Sequence, residues 1–162
     1  MKNSSHRREP LQQRAVHAPT MLNEAYDYPK PSSFSRGMRV DLGEFFMVFL
    51  SGTASLDEMG RSIHIGDFRA QIRRTFANLT ALLSSEGLDW KHIVRTTCYL
   101  RDIERDYEAF NEERTAFYES QGLSVPPAST AVQATLCRPE LLVEIEAIAI
   151  SKLEKPRVVQ EA

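Results

Sequence analysis

The sequence is short of cysteine and histidine, has no long apolar run, and carries no excess of either charge; each shortage closes a class of function. Two cysteines, Cys98 and Cys137, and four histidines, His6, His17, His64 and His92, are too scattered to make a zinc site. The thiols therefore read as free, as in a reducing cytoplasm, the expected compartment. No stretch approaches the roughly 18 to 20 apolar residues of a transmembrane helix, and the polar N-terminal stretch lacks the apolar core of a secretion signal. A net charge of -2 from mixed signs leaves no electrostatic footprint for nucleic acid. What is there, 162 residues at 42% hydrophobic and 26% charged, suffices for one globular domain with a real core.

Composition divides the chain into residues 1–31, a flexible arm rich in Ser, Gln, Arg and Pro, a domain over 32–153, and a tail over 154–162. The arm has few apolar residues with which to repay the entropy of ordering. Its Lys2, Arg7, Arg8 and Arg14 read either as a solvated cluster or as a targeting or partner-binding peptide. Residues 39–51 read as a β-hairpin turning at Leu42-Gly43-Glu44, with Phe45 to Leu50 a continuous apolar strand buried on both sides. A glycine directly after such a strand, Gly52, allows close backbone approach or a positive φ. The polar loop that follows holds His64, a surface residue or a chemical one.

Asp67 is placed to cap a helix whose Phe68, Ile72, Phe76, Leu79 and Leu83 recur at helical spacing up to a stop at Gly87. Its Arg69, Arg73 and Arg74 read as a solvated face. Residues 93–100 form a β-branched strand in which Cys98 packs as a small hydrophobe. A second helix runs from about Asp106 to Ser120 with Tyr107, Phe110 and Phe117 as its stripe. Two more strands follow, 129–135 and 142–150. The order is ββαβαββ, an α+β domain with a mixed sheet and both helices on one face, because right-handed crossovers put them there. The other sheet face is left bare and apolar, which argues for a homo-oligomer.

In the last strand, alternation puts Val143, Ile145, Ala147 and Ala149 on one side and Glu144, Glu146, Ile148 and Ile150 on the other. Two carboxylates on an apolar strand must be hydrogen-bonded, paired or opened onto a cleft, unless the strand simply leaves the core. A buried carboxyl has a raised pKa, which suits acid or base work near neutral pH.

The strand ending in Ser51-Gly52, the runs IVRTTCYLRD (93–102) and YEAFNEERTAFY (107–118), and the closing PPAS (126–129) with LLVEIEAIAI (141–150) resemble the Rid (RidA/YjgF) superfamily over about residues 33–151. The resemblance implies a fold of Rid/chorismate-mutase-like type. It also implies a homotrimer in which the bare sheet faces form a central barrel and ligand clefts lie between subunits. RidA is an imine/enamine deaminase that hydrolyses 2-imino acids to 2-keto acids and ammonia with no metal or organic cofactor, so none is expected here. Glu144 falls on the family's water-orienting glutamate, and Ser51, Gly52, Thr53 and Asn111 fall on cleft or cleft-adjacent positions.

Two positions depart from that pattern. RidA has an arginine after the Pro-Ala that opens the penultimate strand, forking the substrate carboxylate; here Pro127-Ala128 is followed by Ser129, and a hydroxyl does not replace charge-assisted bonds of about 1.5 to 3 kcal/mol each. Phe34 stands where many members have a cleft tyrosine. Another arginine must then bind the acid group, and Arg138 is the candidate from sequence.

A second resemblance is local: SGTAS (51–55), His64, Gly66-Asp67 and Cys137-Arg138 before LLVEIE are similar to the C-terminal half of chorismatases. There the last-strand glutamate is the acid/base at an enolpyruvyl ether, and one branch has a cysteine spaced from it as Cys137 is from Glu144. Three readings stand open: a Rid-type hydrolase acting on a small imine, enamine or related carboxylate, a chorismatase-like hydrolase or lyase, and a non-catalytic trimeric binding protein.

Overall fold

The computed structural model describes residues 11–153; Lys2, His6, Arg7, Arg8 and the expected tail over 154–162 lie outside them. Six strands build one mixed sheet: β1 (Gln13–Ala15), β2 (Gly37–Leu42), β3 (Phe45–Ala54), β4 (Ile93–Leu100), β5 (Ala128–Gln133) and β6 (Val143–Lys152). Helices α1 (Phe68–Ser84) and α2 (Ile103–Ser120) carry the crossovers. The spatial order is β1-β2-β3-β6-β4-β5, with β4 and β5 parallel and the other neighbours antiparallel. This is the expected α+β arrangement with one strand added at the front.

Both helices lie on the face that carries Val143, Ile145, Ala147 and Ala149 of β6, all buried with Val48 and Leu50 of β3. The apolar stripe of α1 is as its spacing predicts, and Asp67 caps it by accepting from Ala70 N at 2.9 Å. Phe76 of α1 stacks on Phe117 of α2 with centroids 4.3 Å apart, and Trp90 meets both rings edge-on. Packed aromatic pairs of this kind are worth about 0.5 to 1.5 kcal/mol each beyond their area.

Four expectations are corrected. The arm is not loose over its described part: Val16, Ala18, Leu22, Ala25 and Tyr28 are buried, and β1 pairs with β2. Arg14, one of its basic cluster, forks Glu86 at the end of α1 at 2.5 and 2.6 Å, so the charge serves a structural pair. Few apolar residues suffice when each sits in the core.

The strand Phe45 to Leu50 is buried on one side only: Phe46, Val48 and Leu50 face the helices, while Phe45 and Phe49 are over 40% exposed on the bare face. Arg69 and Arg73 are not merely solvated but bridge to Glu112 and Glu113 of α2, and Arg74 donates to the carbonyls of Leu56 and Met21. Helix α2 starts earlier than expected because Asp102 caps it, accepting from Arg105 N at 3.1 Å; Tyr107 is exposed and Tyr118 takes its place in the core.

The buried stripe of α1 also contains amides, which fix the sheet ends where the site forms. Gln71 donates to Glu140 O at 2.9 Å and accepts from Leu142 N at 2.8 Å, holding the entry to β6. Asn78 donates to the carbonyls of Ala54 and Leu56, both at 3.0 Å, where β3 ends. Buried amides that bond to backbone in this way hold a loop in one geometry.

Candidate active site

Glu144 lies on β6 opposite Ala54 of β3 on one side and Tyr99 of β4 on the other. The β3–β6 register shifts between Leu50 and Thr53, and this irregularity brings Gly52 directly under the glutamate. A Cβ built on Gly52 would stand 2.0 Å from Glu144 Oε1 and 2.9 Å from its Cδ, so the carboxylate folds over the bare backbone and a side chain there would displace it. Gly52 therefore serves close approach, not a positive φ.

The Glu144 carboxylate makes no hydrogen bond among the described residues, while desolvation raises its pKa above the usual carboxylate value. Arg36 opposes that rise and Glu146 adds to it. The group opens onto a cavity of about 900 Å³ whose walls include Phe34, Arg36, Ser51, Gly52, Cys137 and Arg138. Half-burial, an unoccupied lone-pair set and a raised pKa are the properties of an acid/base group waiting for a substrate proton.

Arg36 was not singled out from sequence and is among the largest fully buried side chains, 2% exposed. Its Nε donates to Asn23 O at 3.2 Å, its Nη2 donates to the Tyr28 hydroxyl, and its Cζ lies 5.0 and 5.2 Å from the Tyr28 and Phe34 ring centroids. Tyr28 in turn is seated on Gly60, at φ +75°, where a Cβ would come within 2.2 Å of the ring. Burial raises the Tyr28 phenol although Arg36 beside it pulls the other way. The arm thus supplies one wall of the cavity, through residues whose types carry no local signal of that role.

Of the residues expected from sequence, the structure brings together Glu144, Phe34, Ser51, Gly52, Cys137 and Arg138. Ser51 Oγ donates to Ser35 O at 2.7 Å, fixing the rim. Arg138 is anchored to the fold through one nitrogen: its Nη1 donates to Gly60 O at 2.6 Å and to Ser62 Oγ at 3.2 Å. Thr53 is fully buried beside the cavity, not in its wall, with Oγ1 donating to Ser51 O.

His64 is exposed at the start of the turn into α1, with φ 58°, and does not converge on Glu144 as Cys137 does. Ser129 and Asn111 are elsewhere within one chain. Ser129 pairs with Thr96, and Thr96 with Ala147, so alternation puts Ser129 on the helix face, opposite Glu144. Arg114 joins the two, donating to Ser129 Oγ at 3.2 Å and to Asn111 Oδ1 at 2.5 Å, beside a second hollow of about 450 Å³.

Cys98 is a buried thiol whose pKa desolvation raises, as suits a core filler. Among the described residues no group of three or more His, Cys, Asp or Glu is arranged to hold a metal ion, and no helix is long and apolar enough to cross a membrane.

The sequence model of the family described as endoribonuclease L-PSP matches residues 30–151. Protein DfrA of Myxococcus xanthus is 37% identical over 118 residues, which cover 73% of this chain and 85% of the relative. The 2-iminobutanoate/2-iminopropanoate deaminase of Salmonella typhimurium is 32% identical over 113 residues, 70% of this chain and 84% of the relative. Among solved structures, the YjgF gene product of E. coli is 27% identical and superposes with a TM-score of 0.67, covering 85% of this chain and 98% of its own.

Proposed function

The chain belongs to the Rid (YjgF/L-PSP) superfamily, whose members include imine deaminases, and from this we propose that it is a Rid-type hydrolase acting on a small imine, enamine or related carboxylate in the Glu144 cavity. The observation that carries the reading is Glu144 itself: a carboxyl with a raised pKa and no hydrogen bond among the described residues, on the wall of an open cavity. In the reaction, Glu144 takes a proton from water as the oxygen adds to the imine carbon. It returns that proton to the nitrogen to give a carbinolamine, and the proton of the new hydroxyl then passes, again by way of Glu144, to the nitrogen as the C–N bond breaks, releasing ammonia and a carbonyl product. No residue changes oxidation state and no cofactor is called on.

The chorismatase-like alternative needs Cys137 and His64 together at Glu144, and only Cys137 shares the cavity. A non-catalytic trimeric binding protein would equally use the open cavity of about 900 Å³ beside Phe34, and turnover separates that reading from the hydrolase. We further propose that the protein works as a homotrimer joined through its bare sheet face. A groove on that face shares Phe34, Ser51 and Glu146 with the cavity, so covering the face would also close the cavity.

The test is hydrolysis of freshly generated 2-iminobutanoate by the wild type, Glu144→Gln and Glu146→Gln. Proton transfer by a positioned side chain is worth about 10²- to 10⁴-fold, so turnover is expected to fall by that factor for Glu144→Gln alone. Equal turnover in the two variants would sink the assignment.

A further inference from the structure

Arg36 is a buried cation without an anion, and we propose that it binds the carboxylate of the substrate in the Glu144 cavity, a step that rests on the hydrolase reading above. The neutral partners of the guanidinium are Asn23 O, the Tyr28 hydroxyl and the rings of Tyr28 and Phe34. The one carboxylate bonded to this residue, Glu24, takes its main-chain N–H at 3.1 Å and His17 Nδ1 at 3.0 Å, not the guanidinium. Among the described residues no carboxylate comes within ion-pair distance of it. A charge this deeply buried without a counter-ion costs several kcal/mol, and a fold keeps one where a ligand supplies the missing charge.

The geometry leaves one guanidinium nitrogen wholly free for that ligand among the described residues. Nε and Nη2 are bonded, whereas Nη1 has no partner among the described residues. Asn78 Oδ1 is the sole fully buried side-chain polar atom left unpartnered there, so Nη1 is not sealed off; it reaches solvent, and the solvent beside Arg36 is the cavity. Held between two rings and two acceptors, the guanidinium is pre-organised, and little entropy is lost when an oxyanion joins it.

The other cations on the wall are poorer candidates. Arg138 is only half-buried and Lys30 is exposed, so neither bears the desolvation cost that a ligand's charge would relieve at Arg36. Arg36 and Glu144 do not pair with each other, yet Arg36 is the main influence holding the Glu144 pKa down. They stand apart across one cavity, the arrangement for a ligand with a carboxylate at one end and the reacting carbon beyond it.

Calorimetry on the full chain tests this with 2-oxobutanoate, a stable oxo acid of the product class, and 2-oxobutanamide, its uncharged counterpart. The wild type is expected to bind the acid more tightly than the amide by about 10- to 100-fold, the equivalent of one charge-assisted pair. Arg36→Gln, which removes the charge and keeps a hydrogen-bond donor, is expected to remove most of that preference. Glu144→Gln is expected to keep the preference, so a failure of Glu144 as acid/base registers in turnover and a failure of Arg36 registers in binding. The proposal is overturned if the wild type binds the acid no better than the amide, a comparison that needs no variant to fold. It is overturned equally if folded Arg36→Gln retains the full preference.

Discussion

Glu144 and Glu146 share a strand face, one residue apart, yet only Glu144 is folded over Gly52 and faces Arg36 across the cavity. Desolvation raises the Glu144 pKa above its unfolded value near 4.5, so the native state favours the neutral acid. As pH rises from there through the raised native value, charging the group costs stability, and the cost is fully present above that native value. Glu144→Gln removes a carboxylate that has no hydrogen bond among the described residues, and its melting temperature at pH 7 is expected to equal or exceed that of the wild type. The gap should close as pH falls below the unfolded value. Glu146→Gln is expected to stay within about 0.5 kcal/mol of the wild type. Thermal melts of the three proteins across the acidic and neutral range read both outcomes. A destabilised Glu144→Gln at neutral pH would mean that the carboxylate has a stabilising partner.

At the scale of elements, the segment before β2 does more than its composition announces. Leu22, 1% exposed, belongs to the same core as Ile72 and Phe76, and Tyr28 completes the setting of Arg36. Truncating a buried leucine costs about 2 to 5 kcal/mol, through lost transfer energy and the cavity left behind. Leu22→Ala is therefore expected to lower the denaturation free energy by that amount in urea unfolding. A change below about 0.5 kcal/mol, the range of surface substitutions, would return the segment to the status of a loose arm. The two helices are tied more weakly: Arg73 and Glu113 pair at 2.6 Å, but Arg73 is well exposed, and such pairs contribute little in salt. Their register is set by the stacked Phe76 and Phe117.

The whole molecule keeps one sheet face uncovered, with Leu42, Phe45, Phe49, Val132 and Ile150 all exposed on it. Burying a large apolar side chain is worth about 1.5 to 3 kcal/mol, so several of them in each copy make self-association the economical solution. Sedimentation at micromolar concentration is expected to find trimers, and Phe49→Arg, which puts a charge in the middle of that face, is expected to yield monomers with native helix content. A wild type that sediments as a stable monomer would remove the assembly and leave the cavity to be closed by something else. Because the groove on this face runs into the cavity at Phe34 and Glu146, the monomeric variant should also lose turnover with Glu144 intact.

Much of this protein follows from periodicity and short motifs. The alternation along β6 places Glu144 opposite the core, the helical spacing and Asp67 define α1, and the element order requires both helices on one face. These are local properties of the chain, set by backbone geometry within a few residues. The structure alone decided that Gly52 lies under Glu144, that Ser129 faces the helices, that residues 13–28 join the core and that Arg36 is buried without a counter-ion. Each depends on strand register or on contacts between residues distant in sequence. An arginine read in isolation looks like a surface residue, and only the atoms packed round it by Tyr28, Asn23 and Phe34 make it a charge waiting for its partner.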